Sequence, residues 1–214
     1  MMTFYGYFRS SSAYRCRIAF NLKGIEVDFR PVHLRKGEQK SDDYRALNPQ
    51  GLVPALVDGD TVLTQSLAII EWLDETHPEP KLLPGNAEMR AKIRAFSQVI
   101  ACEIHPLQNL RVLAYLKGEL GRDQAGADAW CQRWIGDGLA ACEALLAREG
   151  NDGPFCFGDT PTLADICLVP QVFSAERFGV DLSAMPRVRD VHAACEALPA
   201  FADAHPAKQP DNDL

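Results

Sequence analysis

Three consecutive hydroxyls, Ser10-Ser11-Ser12, stand between a short apolar run, Thr3 to Phe8, and a helical pattern that begins at Ala13. Cys16, Ile18, Ala19 and Leu22 trace the buried side of a helix that closes at Gly24, a residue suited to a left-handed helix end. Serine is favoured at a helix N-cap, so the three serines belong to the N-terminus of that helix. Such an end carries unpaired N–H groups and about half a positive charge, and hydroxyls add donors of their own. The chemistry this suits is the holding of an anion. Serines that only cap a helix are the plainer reading, because most caps bind nothing, and the choice rests on what the rest of the chain supplies.

Gln65-Ser66 precedes a second apolar helical face, made by Leu67, Ile70 and Leu73 with Ile69 and Trp72 beside them, and Ser66 is read as its cap. Between the two helix starts lies Val53-Pro54 at the head of a strand, where proline removes a ladder donor. Two uses are open there: a cis peptide, or Val53 backbone groups left to pair with an extended ligand.

The elements that must position these residues follow from periodicity. Glu26 to Val32 alternates as a strand, and Pro31 puts it near a sheet edge. His33 to Arg45 is polar and irregular, with Gln39 inside it, and Asp58-Gly59-Asp60 between two apolar runs predicts a hairpin. Strand, helix, strand, hairpin and helix over roughly 80 residues make a small α/β layer. Thr76 to Gly85 holds Pro78, Pro80 and Pro84 and reads as a linker. Beyond it Met89, Ile93, Phe96, Ile100, Ile104, Leu107, Leu110 and Leu113 predict one long helix bent at Pro106, and Trp130 to Leu146 another. Thr162-x-x-Asp165 is a capping-box variant, Pro186 opens a last helix, and the polar tail from Lys208 is expected to fray. The domains are therefore drawn at 1–80 and 88–214, joined by a linker at 81–87.

Composition excludes several functions. The 214 residues carry a net charge of -7 with no basic run, which argues against nucleic acid. No apolar run reaches the length of a membrane span, and no charged segment and h-region open the chain, so a soluble, unprocessed protein is expected. Seven scattered cysteines without a C-x-x-C pair or a His/Cys cluster point to reduced thiols in a cytoplasmic protein, with neither a disulfide framework nor a metal site.

Ser10-Ser11-Ser12-Ala13-Tyr14-Arg15-Cys16-Arg17-Ile18-Ala19 resembles the signature of the zeta-class glutathione transferases, Ser-Ser-Cys followed by an aromatic and Arg-x-Arg-Ile-Ala. Leu47-Asn48-Pro49, Val53-Pro54, Gln65-Ser66-Leu67-Ala68-Ile69-Ile70-Glu71, His105-Pro106-Leu107-Gln108-Asn109, Asp165-x-Cys167-Leu168-Val169-Pro170-Gln171 and Glu176-Arg177-Phe178 resemble the same class, and the likeness runs down to Gln209-Pro210-Asp211. It implies a thioredoxin-like N-terminal domain that binds glutathione and an all-α C-terminal domain that completes the substrate pocket. The class includes maleylacetoacetate and maleylpyruvate isomerases, which use glutathione to turn a cis alkene trans. Ser12 departs from the pattern, standing where the family often has Cys, and is expected to matter least of the three serines.

The resemblance assigns roles residue by residue. Ser10 or Ser11 would hold the glutathione thiolate, Val53 before Pro54 would pair through its backbone with the cysteinyl part, and Gln65 and Ser66 would take the γ-glutamyl carboxylate. Gln39 would reach the glycyl end, Asn109 would also lie at the glutathione site, and His105 would either contact glutathione or polarise the substrate carbonyl. A free thiol has a pKa of about 8.5, and lowering it by about two units takes roughly 2.7 kcal/mol. A helix N-terminus supplies up to about 2 kcal/mol and a hydrogen bond to a charged group about 1.5 to 3, so the serines and the helix end suffice together. A maleyl substrate is a small dicarboxylate, which calls for guanidinium partners, and Arg9, Arg111 and Arg177 are the candidates. A conjugating or dehalogenating transferase would keep the thiolate site and consume glutathione; a scaffold protein would have no use for it. A homodimer is expected from the fold and from the apolar surface around Trp72.

Overall fold

The computed structural model describes residues 1–213, and the chain divides into two compact units, Met1–Leu82 with the segment from Ala197 onward, and Leu83–Glu196. In the first unit β1 (Thr3–Gly6) leads into α1 (Ser11–Lys23), followed by β2 (Asp28–Pro31) and the short α2 (Asp42–Leu47). The hairpin of β3 (Ala55–Asp58) and β4 (Thr61–Thr64) then leads to α3 (Ser66–Thr76). The four strands pair in the order β2-β1-β3-β4, with β1 and β2 parallel and the others antiparallel. This is the small α/β layer expected from the order of elements, and it fits the thioredoxin-like domain that the family resemblance implies. Proline ends β2 on the sheet edge, where its missing N–H costs no ladder bond, and Gly59-Asp60 forms the two-residue turn of the hairpin with Gly59 at φ 57°.

Phe4 of β1 stands opposite Leu56 of β3 and beside Phe29 of β2, and its ring meets Phe20 of α1 edge-on at 5.0 Å. That contact packs α1 onto the sheet. Helix α1 is buried almost all round, from Ser11 to Phe20 with Ser12 alone half-exposed, and Arg15 and Arg17 lie inside with the apolar residues. At its C-terminal end the buried Lys23 ammonium reaches Asp74 at 3.0 Å and the carbonyls of His77 and Pro80, which ties α1 to the end of α3.

The second unit is all helical. It comprises α4 (Ala87–Gln98), α5 (Leu110–Gly118), α6 (Gln124–Glu149), α7 (Leu163–Arg177) and α8 (Pro186–Glu196). Helix α7 is its core, buried from Leu163 to Val172, and it opens with the complete capping box of Thr162 and Asp165. The long bent helix expected over 89–113 is instead broken. After Gln98 come a π-helical turn, Val99–Ile104, and a 3₁₀ turn, His105–Gln108, before Asn109 caps α5 by accepting the Arg111 N–H at 3.1 Å. Pro106 lacks the N–H that would continue an α-helix, and Ile104 fits against Gly138 of α6 so closely that a Cβ there would lie 2.3 Å from it.

The tail also departs from expectation. A last helical turn, α9 (Pro199–Ala202), packs on α1, and residues 209–213 are held to the first unit rather than frayed. Asp211 accepts the Phe8 N–H at 2.8 Å, and Asp213 pairs with His33 at 2.8 Å and with Arg35. Hydrogen bonds from Arg35 and His33 hold the Asp213 carboxyl down at about 2. Polarity in the tail therefore marks pairing with distant partners.

Candidate active site

At the start of α1 the cap is Ser10, with φ -71° and ψ 117°, whose Oγ accepts the Ala13 N–H at 3.3 Å. Ser12 Oγ donates to the Val53 carbonyl at 3.0 Å and lies 3.1 Å from Ser10 Oγ. A serine has one proton to give, so with that of Ser12 on Val53 it is Ser10 that donates between the two hydroxyls. Ser11 is buried in the first turn. No acidic side chain stands in that turn to oppose an anion. Ser12, the residue expected to matter least, is thus the link between the helix start and the Val53-Pro54 turn. That peptide bond is cis, the first of the two uses left open by the sequence.

The start of α3 differs from expectation. Its cap is Gln65, at φ 69° and without a side-chain cap bond, and Ser66 is the first helical residue. Ser66 does not cap because its hydroxyl faces inward, where it accepts from Arg15 Nη1 at 3.3 Å. Arginine has only donors, so Ser66 must accept and keeps its own proton for another partner. Arg15 is only 2% exposed, and its Nε and Nη2 have no hydrogen-bond partner. A buried guanidinium with donors to spare gives this helix start an anion-binding character that Ser66 alone would lack. Spacing in the sequence marked Arg15 as part of a motif but gave no sign that it reaches a serine 51 positions away.

Gln65 Nε2 donates to Gln50 Oε1 at 2.9 Å, so the glutamine is braced beside Ser66. Gln39 lies in a short 3₁₀ turn, with its Oε1 buried and lacking a partner. Gly51, at φ 61°, passes so near that a Cβ would stand 3.0 Å from the Gln39 carbonyl, which is why a glycine opens the segment leading to Val53. Asn48 and Tyr44 both donate to the Leu52 carbonyl at 2.7 Å and hold that segment down. Burial raises the Tyr44 hydroxyl to about 12, so it donates at any ordinary pH. Bonds from α1 thus join Ser10, Ser12, Val53 and Ser66 into one constellation, while Arg9 projects from the loop before the serines, its guanidinium 5.9 Å from the Phe8 ring.

The remaining candidates belong to the second unit. His105 is half-buried in the 3₁₀ turn, Asn109 is occupied as the cap of α5, and Arg111 is exposed in that helix's first turn. Arg177 is exposed at the end of α7 with its guanidinium 4.5 Å from the Phe178 ring. Six of the seven cysteines are buried, Cys102 being the exposed one, and burial pushes the Cys142 thiol up to about 12 and Cys131 to about 11. None of these buried sulfurs is poised as a nucleophile. No group of three or more metal-ligating side chains occurs among the described residues, and no helix there is long and apolar enough to cross a membrane.

Residues 9–76 match the glutathione S-transferase N-terminal domain, and residues 124–201 match the glutathione S-transferase C-terminal domain. The chain belongs to the glutathione S-transferase family. Its likeness is to the zeta class: a solved holo structure of a bacterial maleylpyruvate isomerase described as zeta class superposes with a TM-score of 0.96 at 52% identity, covering 98% of this chain and 99% of that one. The maleylpyruvate isomerase of a Ralstonia species is 52% identical over 99% of this chain and 100% of its own length. A maleylacetoacetate isomerase from Methylobacterium extorquens, solved with bound malonate and glutathione, is 40% identical with a TM-score of 0.95, over 99% of this chain and 100% of that one.

Proposed function

We propose that this chain is a glutathione-dependent cis–trans isomerase of maleyl compounds, acting on maleylacetoacetate in the breakdown of aromatic amino acids. The observation that carries the proposal is full-length likeness to proteins named as such isomerases, one of them holding glutathione together with a dicarboxylate. The residues present suit glutathione: a serine-capped helix end without acidic neighbours for its sulfur, a guanidinium-backed serine for a carboxylate, and the orphaned Gln39 Oε1 for an N–H. When bound, glutathione supplies a thiolate that adds reversibly to the activated double bond and leaves a single bond free to rotate.

Ser10 and Ser11 hold the sulfur in its charged form. Ser10 must swing its proton from Ser12 to do so, and the α1 terminus adds its field. Val53 pairs through its backbone with the cysteinyl part, Gln65 and Ser66 take the γ-glutamyl carboxylate, and Gln39 takes the glycyl end. His105 and Asn109 complete the glutathione contacts. Arg9, Arg111 and Arg177 meet the substrate carboxylates, which a transferase for neutral electrophiles would not need, since unpaired guanidinium groups are costly to desolvate. The protein works in the cytoplasm as a homodimer; a single 23.6 kDa species in sedimentation at micromolar concentration would contradict the assembly.

A second substrate has its own support, because the relative at 52% identity is named a maleylpyruvate isomerase. Incubating the protein with glutathione and each maleyl compound, and following loss of the cis enone, separates the two. Turnover of neither would overturn the isomerase proposal.

A further inference from the structure

Gln209-Pro210-Asp211 resembles the family motif but has no place among the residues that bind glutathione or substrate. The structure shows what each of the three contacts. Gln209 Nε2 donates to the carbonyls of Asp203 at 2.9 Å and His205 at 3.0 Å, which folds the tail back on itself after α9. Pro210 follows with a fixed φ and no N–H, so the chain leaves that turn in a set direction. Asp211 then reaches the loop between β1 and α1.

That loop has little room for error. β1 ends at Gly6, whose carbonyl takes the Val32 N–H at 2.7 Å, and Ser10 already caps α1, so Tyr7, Phe8 and Arg9 alone make the crossing. Its carbonyls are held from inside the unit. Tyr7 O accepts from the Ser10 N–H at 3.0 Å and from Arg17 Nη1, and Phe8 O accepts from Arg17 Nη2 at 2.9 Å. The same guanidinium gives its Nε to the Ala204 carbonyl at 3.0 Å. Arg17 therefore joins the loop and the tail, and although burial brings it down to about 10 it is charged at neutral pH. One polar group of the fully buried Phe8 remains, its N–H, and it points to Asp211 Oδ2 at 2.8 Å. A carboxylate on an amide is a charge-assisted bond, as are those that the Arg17 guanidinium makes to the carbonyls of the same loop. Asp211 Oδ1 is buried without a hydrogen-bond partner, so the Phe8 amide takes the hydrogen bond of a carboxylate whose charge also supports that of Arg17.

We infer that Asp211 is a positioning residue for the candidate active site: it fixes the Tyr7–Arg9 loop from the tail side and thereby sets where Arg9 and the Ser10 hydroxyl are presented. A tail that merely stabilised the unit could bind any exposed surface of it. This one takes the amide of the buried Phe8 in the loop that leads to Ser10 and carries Arg9. The inference rests on the proposed function for its effect on turnover, but not for its effect on the loop.

The test compares Asp211→Ala with Asp211→Asn in the full chain, by amide hydrogen exchange at Phe8 and by steady-state kinetics with a maleyl substrate and glutathione. Removing the acceptor should speed exchange at Phe8 by about a hundredfold or more while the helices of the second unit keep their protection. It should lower kcat by about tenfold with the Michaelis constant for glutathione moved less than about threefold, because glutathione contacts elsewhere are untouched. Asp211→Asn keeps an oxygen facing the amide, so it should return exchange to within about tenfold of wild type and kcat to within about threefold. Wild-type protection of the Phe8 amide in Asp211→Ala would overturn the inference, as would lost protection with unchanged kcat or an Asn variant as impaired as Ala. If the wild-type protein turns over no maleyl compound, the isomerase proposal fails, while the exchange result still reports whether Asp211 holds the loop.

Discussion

The two helix starts of the first unit meet the same problem in different ways. At α1 the orphan N–H groups are answered by a hydroxyl on the cap itself, Ser10, with Ser12 beside it on the Val53 carbonyl. At α3 the cap is Gln65 in a left-handed conformation with no side-chain bond, and the first serine is backed by the buried guanidinium of Arg15. The first arrangement offers short, neutral, movable donors. The second offers a fixed positive charge and backbone donors left open. A thiolate needs its negative charge stabilised only enough to move a pKa by about two units, which one or two hydroxyls and a helix end supply. A carboxylate is charged at any working pH and gains most from a preorganised cationic site. On the proposed function, one helix start serves the chemistry and the other the grip on glutathione.

Breaking the first start should have the larger effect. The Ser10→Ala, Ser11→Ala double variant is expected to lose one to several powers of ten in turnover, each power being about 1.4 kcal/mol of barrier, with glutathione affinity changed much less. Full activity in that variant would remove the serines from the account. Breaking the second start should do the opposite. Arg15→Met replaces a buried cation that has unsatisfied donors with an apolar chain of similar length, so the unfolding midpoint should hold or rise while glutathione binds about ten- to a hundredfold more weakly. Calorimetry with glutathione and with an analogue lacking the γ-glutamyl carboxylate sharpens this: the variant should lose affinity for the first and little for the second. Equal binding of glutathione by wild type and variant would contradict the role given to Arg15. The smallest effect concerns Gln65, whose φ of 69° suits glycine better than any side chain. Gln65→Gly should raise unfolding stability by about 1 kcal/mol and weaken glutathione binding modestly, a split that a purely structural glutamine would not give.

The contrast also explains what could be read from the chain. Capping at Ser10 and Thr162, the Gly59-Asp60 turn and the left-handed end at Gly24 are decided within a few residues, and each is legible from local chemistry. Ser66 misleads because serine before an apolar helical run signals a cap, while the partner that claims its hydroxyl, Arg15, is remote in sequence. Likewise the break at 99–109 is hidden because apolar spacing continues through the π-helical turn, and only the approach of Gly138 to Ile104 shows where the ladder changes. The tail is the extreme case: its bonds to Phe8, His33 and Arg35 span most of the chain, and no local pattern foretells them. Arg15 and Asp211 were the functional candidates that spacing could not supply, and both are polar side chains whose meaning lies in what they reach.

The most direct test of the account is to follow free thiol while the protein turns over an excess of a maleyl substrate with a small amount of glutathione. An isomerase returns glutathione at each cycle, so the thiol should stay constant through many turnovers per molecule as the cis enone becomes the trans isomer, with no thioether accumulating. Stoichiometric loss of thiol with the substrate would contradict the isomerase account and favour a conjugating transferase.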